Sequence, residues 1–262
     1  QNLLPGPSAD PAPGARSDPR IGSESVVRPL RKASFEMGLV LMGRETNAAL
    51  IGLELNGVRA KALLDTGAEM NVVQTWLLEE AGLELGGGDE VTITDSSKIS
   101  RTASFASISV DFDQWGRVEQ PAVVIPSVPM FAERRIGLIV DPLFLARTGF
   151  AVRLDFPDRT MSELGSLSPP SGVDLQTCVN STQLASGMAL QTSRHVTSVT
   201  VGGVATALQI DTGARTTVLA ASSEAATAVA GLASTREEAR GLFGREPVTT
   251  ITESVDGCIP AP

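Results

Sequence analysis

One stretch of this chain is written twice, and that repeat limits the fold more than any other feature. Residues 53–73 read LELNGVRAKALLDTGAEMNVV, and residues 199–219 read VTVGGVATALQIDTGARTTVL. A constant offset of 146 carries the first copy onto the second without a gap, so Leu53 falls on Val199, Gly57 on Gly203, Leu64 on Ile210 and Asp65 on Asp211. Two similar halves in 262 residues fit two small lobes better than one large domain.

Both copies carry the same local instructions. Apolar residues alternate into a two-residue turn, Asn56-Gly57 or Gly202-Gly203, of the kind that closes a β-hairpin, and a second strand then runs to an aspartate. Each aspartate is therefore expected where a buried strand ends. Thr66 and Thr212 have short hydroxyls suited to hydrogen bonds across a pseudo-twofold axis. Gly67 and Gly213 let backbone approach backbone and aim N–H groups at a carboxylate, and Ala68 and Ala214 leave room for tight packing behind.

Paired hydrophobic-hydrophobic-Asp-Thr-Gly-Ala motifs resemble those of the aspartic peptidases. The Ala after Asp-Thr-Gly and the short approach from an Asn-Gly or Gly-Gly hairpin are more similar to the retropepsin-like branch than to the pepsin branch. The resemblance implies a mainly β, bilobal fold of two retropepsin-like β-barrel lobes, with the second lobe incomplete. It also implies Asp65 and Asp211 as catalytic residues, supported by Thr66, Gly67, Ala68, Thr212, Gly213 and Ala214. Two carboxylates a few Å apart cannot both ionise cheaply, so they share a proton: one acts as base on a water, the other as acid toward the scissile carbonyl. Such chemistry implies no cofactor and no metal. The rival reading is a catalytically silent peptide-binding or adaptor module on the same fold, or an inactive fragment of a longer peptidase.

Composition agrees. Gly 25, Pro 16 and many short Val/Ile/Thr/Leu runs point to a mainly β protein with many turns. A net charge of −9 argues against nucleic acid or an anionic membrane surface as partner, because either calls for a cationic patch. No apolar run reaches the ~18 residues of a spanning helix. One His and two distant Cys make no recognisable metal-ligand set. The partner expected is a peptide or protein substrate. A single chain forms the carboxylate pair by itself, and a second chain enters if the C-terminal lobe is incomplete.

Taken in order, residues 1–33 form a flexible Pro/Gly-rich leader, and the chain begins at Gln1; a removed export signal and a cloning boundary are both open. Residues 34–164 form the N-terminal lobe. Within it, Thr75–Leu83 reads as a helix stopped by Gly82, and strands at Val91–Thr94 and Ser104–Val110 flank Asp95, Ser96, Ser97 and Lys98. By position in the family this hairpin is a flap, although no Tyr is present; an ordinary solvated hairpin is the other reading. Residues 135–156 resemble the segment that closes such a lobe. The family's Gly stands two residues before the Asp, yet here Ile139 precedes Asp141 at that spacing and the nearest Gly is Gly137; either the register slips or the loop crossing is altered.

Residues 165–194 are polar, contain Pro169-Pro170, and read as the inter-lobe connection; residues 195–262 form the C-terminal lobe. The first closing segment starts 71 residues after its aspartate (136 − 65), which would place a twin near position 282. The second lobe is therefore expected to lack that segment, through a longer native chain, a cut, or a partner strand. Cys178 and Cys258 suit one disulfide in an exported protein, periplasmic, cell-surface or secreted; two unpaired thiols are the other reading. Asn180-Ser181-Thr182 matches a glycosylation acceptor. Glu69 follows the first motif and Arg215 the second; Arg215 is expected to point outward or to pair with an acid.

Overall fold

The computed structural model describes residues 32–37, 40–41, 44–45, 48–84, 89–95, 99–141, 152–163, 176–183, 189–214, 219–232, 234–240, 245–251 and 257–258. In chain order the first half holds β1 (Lys32–Ser34), β2 (Val40–Leu41), β3 (Arg44–Glu45), β4 (Ala49–Leu55), β5 (Val58–Leu64), β6 (Val72–Gln74), α1 (Thr75–Glu80), β7 (Glu90–Thr94), β8 (Ser100–Phe112), β9 (Gly116–Ile125), α2 (Pro129–Ala132), β10 (Ile136–Val140), β11 (Val152–Asp155) and β12 (Thr160–Glu163). The second half holds β13 (Gln176–Gln183), β14 (Ala189–Val201), β15 (Val204–Gln209), α3 (Glu224–Val229), β16 (Ser234–Arg240), β17 (Arg245–Ile251) and β18 (Gly257–Cys258).

The first repeat copy forms the hairpin that its turn residues ask for. Asn56 and Gly57 both take positive φ, 48° and 84°, as a type I′ turn requires, and β4 pairs with β5 from Leu55↔Val58 to Ala49↔Leu64. The sheet runs β4-β5-β10-β6-β9-β8-β7, and β4 meets β8 at Glu54↔Asp111, so six strands close into a barrel with β7 outside the ring. Closure removes open edges from most of this lobe. β10 reads IGLIV, a continuous apolar run, because it is central: parallel to β5, antiparallel to β6, and buried throughout. The amphipathic β8 instead alternates, burying Ala103, Phe105, Ile108, Val110 and Phe112.

α1 ends where Gly82 adopts φ 65°, as the sequence predicts, and Leu83 N–H returns to the Leu78 carbonyl at 2.9 Å. The helix lies on β10 at Gly137, where a Cβ would fall 2.5 Å from Leu77 Cδ2. The strand register also shifts between Ile136 and Leu138. The displaced Gly noted in the sequence is therefore a bulge that lets helix and strand approach.

β1, β12 and β11 form a separate three-stranded sheet, with Phe35 edge-on to Phe156 at 5.6 Å. In the second half, β13, β14 and β15 form an antiparallel sheet, with β18 on the β13 side of β14. Residues 176–183 and 189–194, expected to be connection, are thus strands. Their Ser/Thr/Gln content hides a strand because polar residues also suit an edge, and β13 is the edge strand here. The leader up to residue 31 lies outside the described residues.

Candidate active site

Each aspartate stands just past the end of a hairpin strand, Asp65 after β5 and Asp211 after β15, and each is gripped by its own loop. Asp65 Oδ1 accepts from the Gly67 and Ala68 N–H groups at 2.9 and 3.1 Å; Asp211 Oδ1 accepts from Gly213 and Ala214 at 2.8 and 2.9 Å. Two N–H donors fix each carboxyl plane through Oδ1 and leave Oδ2 outside the loop's own hydrogen bonds.

The threonines lock the two loops together reciprocally. The Thr66 hydroxyl donates to the Ile210 carbonyl at 2.8 Å and accepts from Thr212 N–H at 3.0 Å; the Thr212 hydroxyl donates to the Leu64 carbonyl at 2.8 Å and accepts from Thr66 N–H at 3.1 Å. Since 64 + 146 is 210 and 66 + 146 is 212, these four bonds obey the twofold relation written in the sequence. The glycines allow the close approach. A Cβ on Gly67 would collide with the Asp211 carboxyl, and one on Gly213 would fall 2.5 Å from Asp65 Cγ.

The two carboxyls are not equivalent. Asp65 N–H donates to the Val140 carbonyl of β10 at 3.0 Å, and burial, the Asp211 charge and a hydrogen bond to Asp211 push its carboxyl up to about 7; the two loop N–H groups pull the other way and lose. Asp211 is exposed, in an open cavity of about 460 Å³ that Met37, Phe156, Pro157, Thr212 and Ala214 also line. One carboxyl is thus set to hold a proton beside another that faces water.

Further contacts tie the loops across the same axis. Arg194 of β14 donates to Glu69 through Nε at 2.7 Å and also through its terminal nitrogen, and Gln209 Nε2 donates to the Gly67 carbonyl at 3.1 Å. Neither Arg194 nor Gln209 stands out in the sequence, because both contacts span more than 120 residues. The partner of Glu69 is Arg194; Arg215 lies outside the described residues. Buried Asn71 holds the exit of the first loop, donating to the Pro121 carbonyl at 3.2 Å and accepting from Asp141 N–H at 3.0 Å.

The hairpin of β7 and β8 exists, with Asp95 N–H on the Ile99 carbonyl at 3.2 Å; Ser96, Ser97 and Lys98 at its tip lie outside the described residues. A second such hairpin went unread in the sequence. β16 and β17 pair from Ser234↔Ile251 to Arg240↔Arg245 and so turn about position 242.5, while β7 and β8 pair to Thr94↔Ser100 and turn about 97. Since 97 + 146 is 243, the repeat extends through this hairpin. β18 continues it, pairing Thr200↔Cys258 where the first copy pairs Glu54↔Asp111.

Against known families, residues 51–140 match the family model described as aspartyl protease. The likeness to aspartyl proteases rests on that stretch, about a third of the chain. No curated protein matches. Among solved structures, a retropepsin-like aspartic protease from Rickettsia conorii is similar at 15% identity and a TM-score of 0.37, over 52% of this chain and 92% of that one. The matched residues run from β4 to the last residue of β10 and so include Asp65 and its loop.

The register of β14 bears on the cysteines. Cys178 stands opposite Arg194 and Cys258 opposite Thr200, on the same side of β14. Six residues of strand (200 − 194) span roughly 20 Å, against the ~4.4–6.8 Å between Cα atoms that a disulfide needs. A bridge between them does not fit this pairing. Asn180 lies within β13, opposite Thr192. Among the described residues no group of three or more His, Cys, Asp or Glu is arranged to hold a metal ion, and no helix is long and apolar enough to cross a membrane.

Proposed function

We propose that this chain is an aspartic endopeptidase in which Asp65 and Asp211 act as one acid–base pair. The observation that carries the reading is the reciprocal threonine lock of the two loops, which brings each carboxyl against the other loop's glycine, with Asp65 pushed up to about 7 beside an exposed Asp211. In this mechanism Asp65 enters protonated and Asp211 ionised. Asp211 takes a proton from a water held between them as that water attacks the scissile carbonyl, and Asp65 gives its proton to the carbonyl oxygen. The tetrahedral diol then collapses, one proton passes to the leaving nitrogen, and the C–N bond breaks. The substrate is a peptide bound extended between lobes 34–164 and 195–262, beneath the hairpin of β7 and β8 as flap.

Cleavage of a mixed peptide library, read by mass spectrometry from about pH 3 to 8, tests this with the chain beside Asp65→Asn and Asp211→Asn. The expected result is a set of cuts whose rates fall by about 10³ or more in either variant. Cuts that persist in both variants would remove the dyad from the mechanism. Peptides retained by the chain without cleavage would shift the reading to a silent binding module.

A further inference from the structure

The second repeat copy departs from the first at one strand. In the first, β5 has neighbours on both edges: β4 antiparallel and β10 parallel. On the β10 side the Lys61 N–H donates to the Arg135 carbonyl at 2.7 Å and the Asp65 N–H to the Val140 carbonyl at 3.0 Å. In the second, β15 pairs with β14 alone and is the end strand of its sheet among the described residues.

The phase of the hairpin says which groups β15 offers on that side. Gly202 and Gly203 take φ 56° and 81°, a type I′ turn, so Val201↔Val204 is a hydrogen-bonded pair and the N–H groups of Val204, Thr206 and Leu208 point into the hairpin. The Ile210 N–H keeps this phase, reaching the His195 carbonyl at 2.9 Å. The N–H groups of Ala205, Ala207 and Gln209 therefore point outward, and Ala207 is the counterpart of Lys61. Burial tells the same story. Ala62, Leu63 and Leu64 are buried under β10, whereas their counterparts Leu208, Gln209 and Ile210 are only half-buried. The occupant's chemistry can be read from β10 itself: five buried residues, apolar and β-branched apart from Gly137 and Leu138, with the Gly against a helix.

We propose that the outer edge of β15 accepts an extended, Ile/Val-rich protein segment of the kind of Ile136–Val140, which pairs with it in parallel and completes the second lobe. The main-chain bonds give the attachment, and alternate apolar side chains fill the space over Leu208 and Ile210. The inference rests on strand pairing and stands whether or not the dyad cleaves peptides.

The test is amide hydrogen exchange, read residue by residue on the full chain, with and without the peptide RRIGLIVDP, which copies residues 134–142. In the free chain the amides of Ala205, Ala207 and Gln209 are expected to exchange at least about tenfold faster than those of Thr206 and Leu208; saturating peptide slows them about tenfold or more, and a scrambled peptide does not. Ala207→Pro removes one outward donor and abolishes the effect. Should that variant misfold, peptides N-methylated on one or the other alternate set of residues serve instead: one set blocks protection and the other keeps it. Outward amides already slow in the free chain, amides still fast at saturating peptide, or equal protection by both methylated sets would each overturn the proposal.

Discussion

Asp65 sits at the junction of two opposed influences. Its loop N–H groups favour the carboxylate, while partial burial and the neighbouring Asp211 favour the acid, and the acid wins until about pH 7. If hydrolysis requires that proton, kcat/KM falls as pH rises through about 7, and initial rates on a cleavable peptide between pH 5 and 9 will trace the fall. A rate still rising at pH 9 would put the acid elsewhere. Thr66 offers a sharper structural case. Replacing it with Ala removes the donor to Ile210 and strands the Thr212 N–H, so Thr66→Ala is expected to cost about 1–3 kcal/mol in denaturant unfolding. Thr66→Ser keeps the hydroxyl and restores most of that loss; equal losses in both would mean that the methyl group, not the hydrogen bonds, matters there.

At the scale of elements, the local signals were readable and the distant ones were not. The Asn56-Gly57 and Gly202-Gly203 turns, the helix stop at Gly82 and the strands that end at each aspartate all follow from residues within a few positions of one another. The grip of Arg194 on Glu69 depends on a partner far along the chain, and the strands at 176–183 and 189–194 lie in a polar stretch that carries no period favouring strand over linker. The hairpin of β16 and β17 was legible in principle, since the offset of 146 points to it, but its Arg and Glu residues mask the alternation. Gly137 shows how a displaced residue acquires its reason only in three dimensions. A methyl group there meets Leu77 Cδ2 at 2.5 Å and Trp76 Cζ2 at 3.0 Å, so Gly137→Ala is expected to destabilise the lobe by about 1–3 kcal/mol through overpacking. Combined with Leu77→Ala it should cost less than the two single losses added, and strict additivity would deny the contact.

For the whole molecule, the same half-buried carboxyl makes stability depend on pH in a definite direction. In the folded chain Asp65 holds its proton up to about pH 7, whereas an unfolded chain releases it near 3.8. Between those values the folded state binds one more proton than the unfolded, so this group's contribution is fully present below about pH 4 and is lost as pH rises through about 7. Asp65→Asn cannot titrate and keeps a neutral partner for Asp211. The difference in unfolding free energy, variant minus parent, should therefore grow more positive from pH 4 to pH 8, and urea titrations at those two values read it directly. A gap that stays constant would mean that Asp65 carries the same charge in the folded and unfolded chain, and a gap that narrows would mean that the folded site favours the carboxylate.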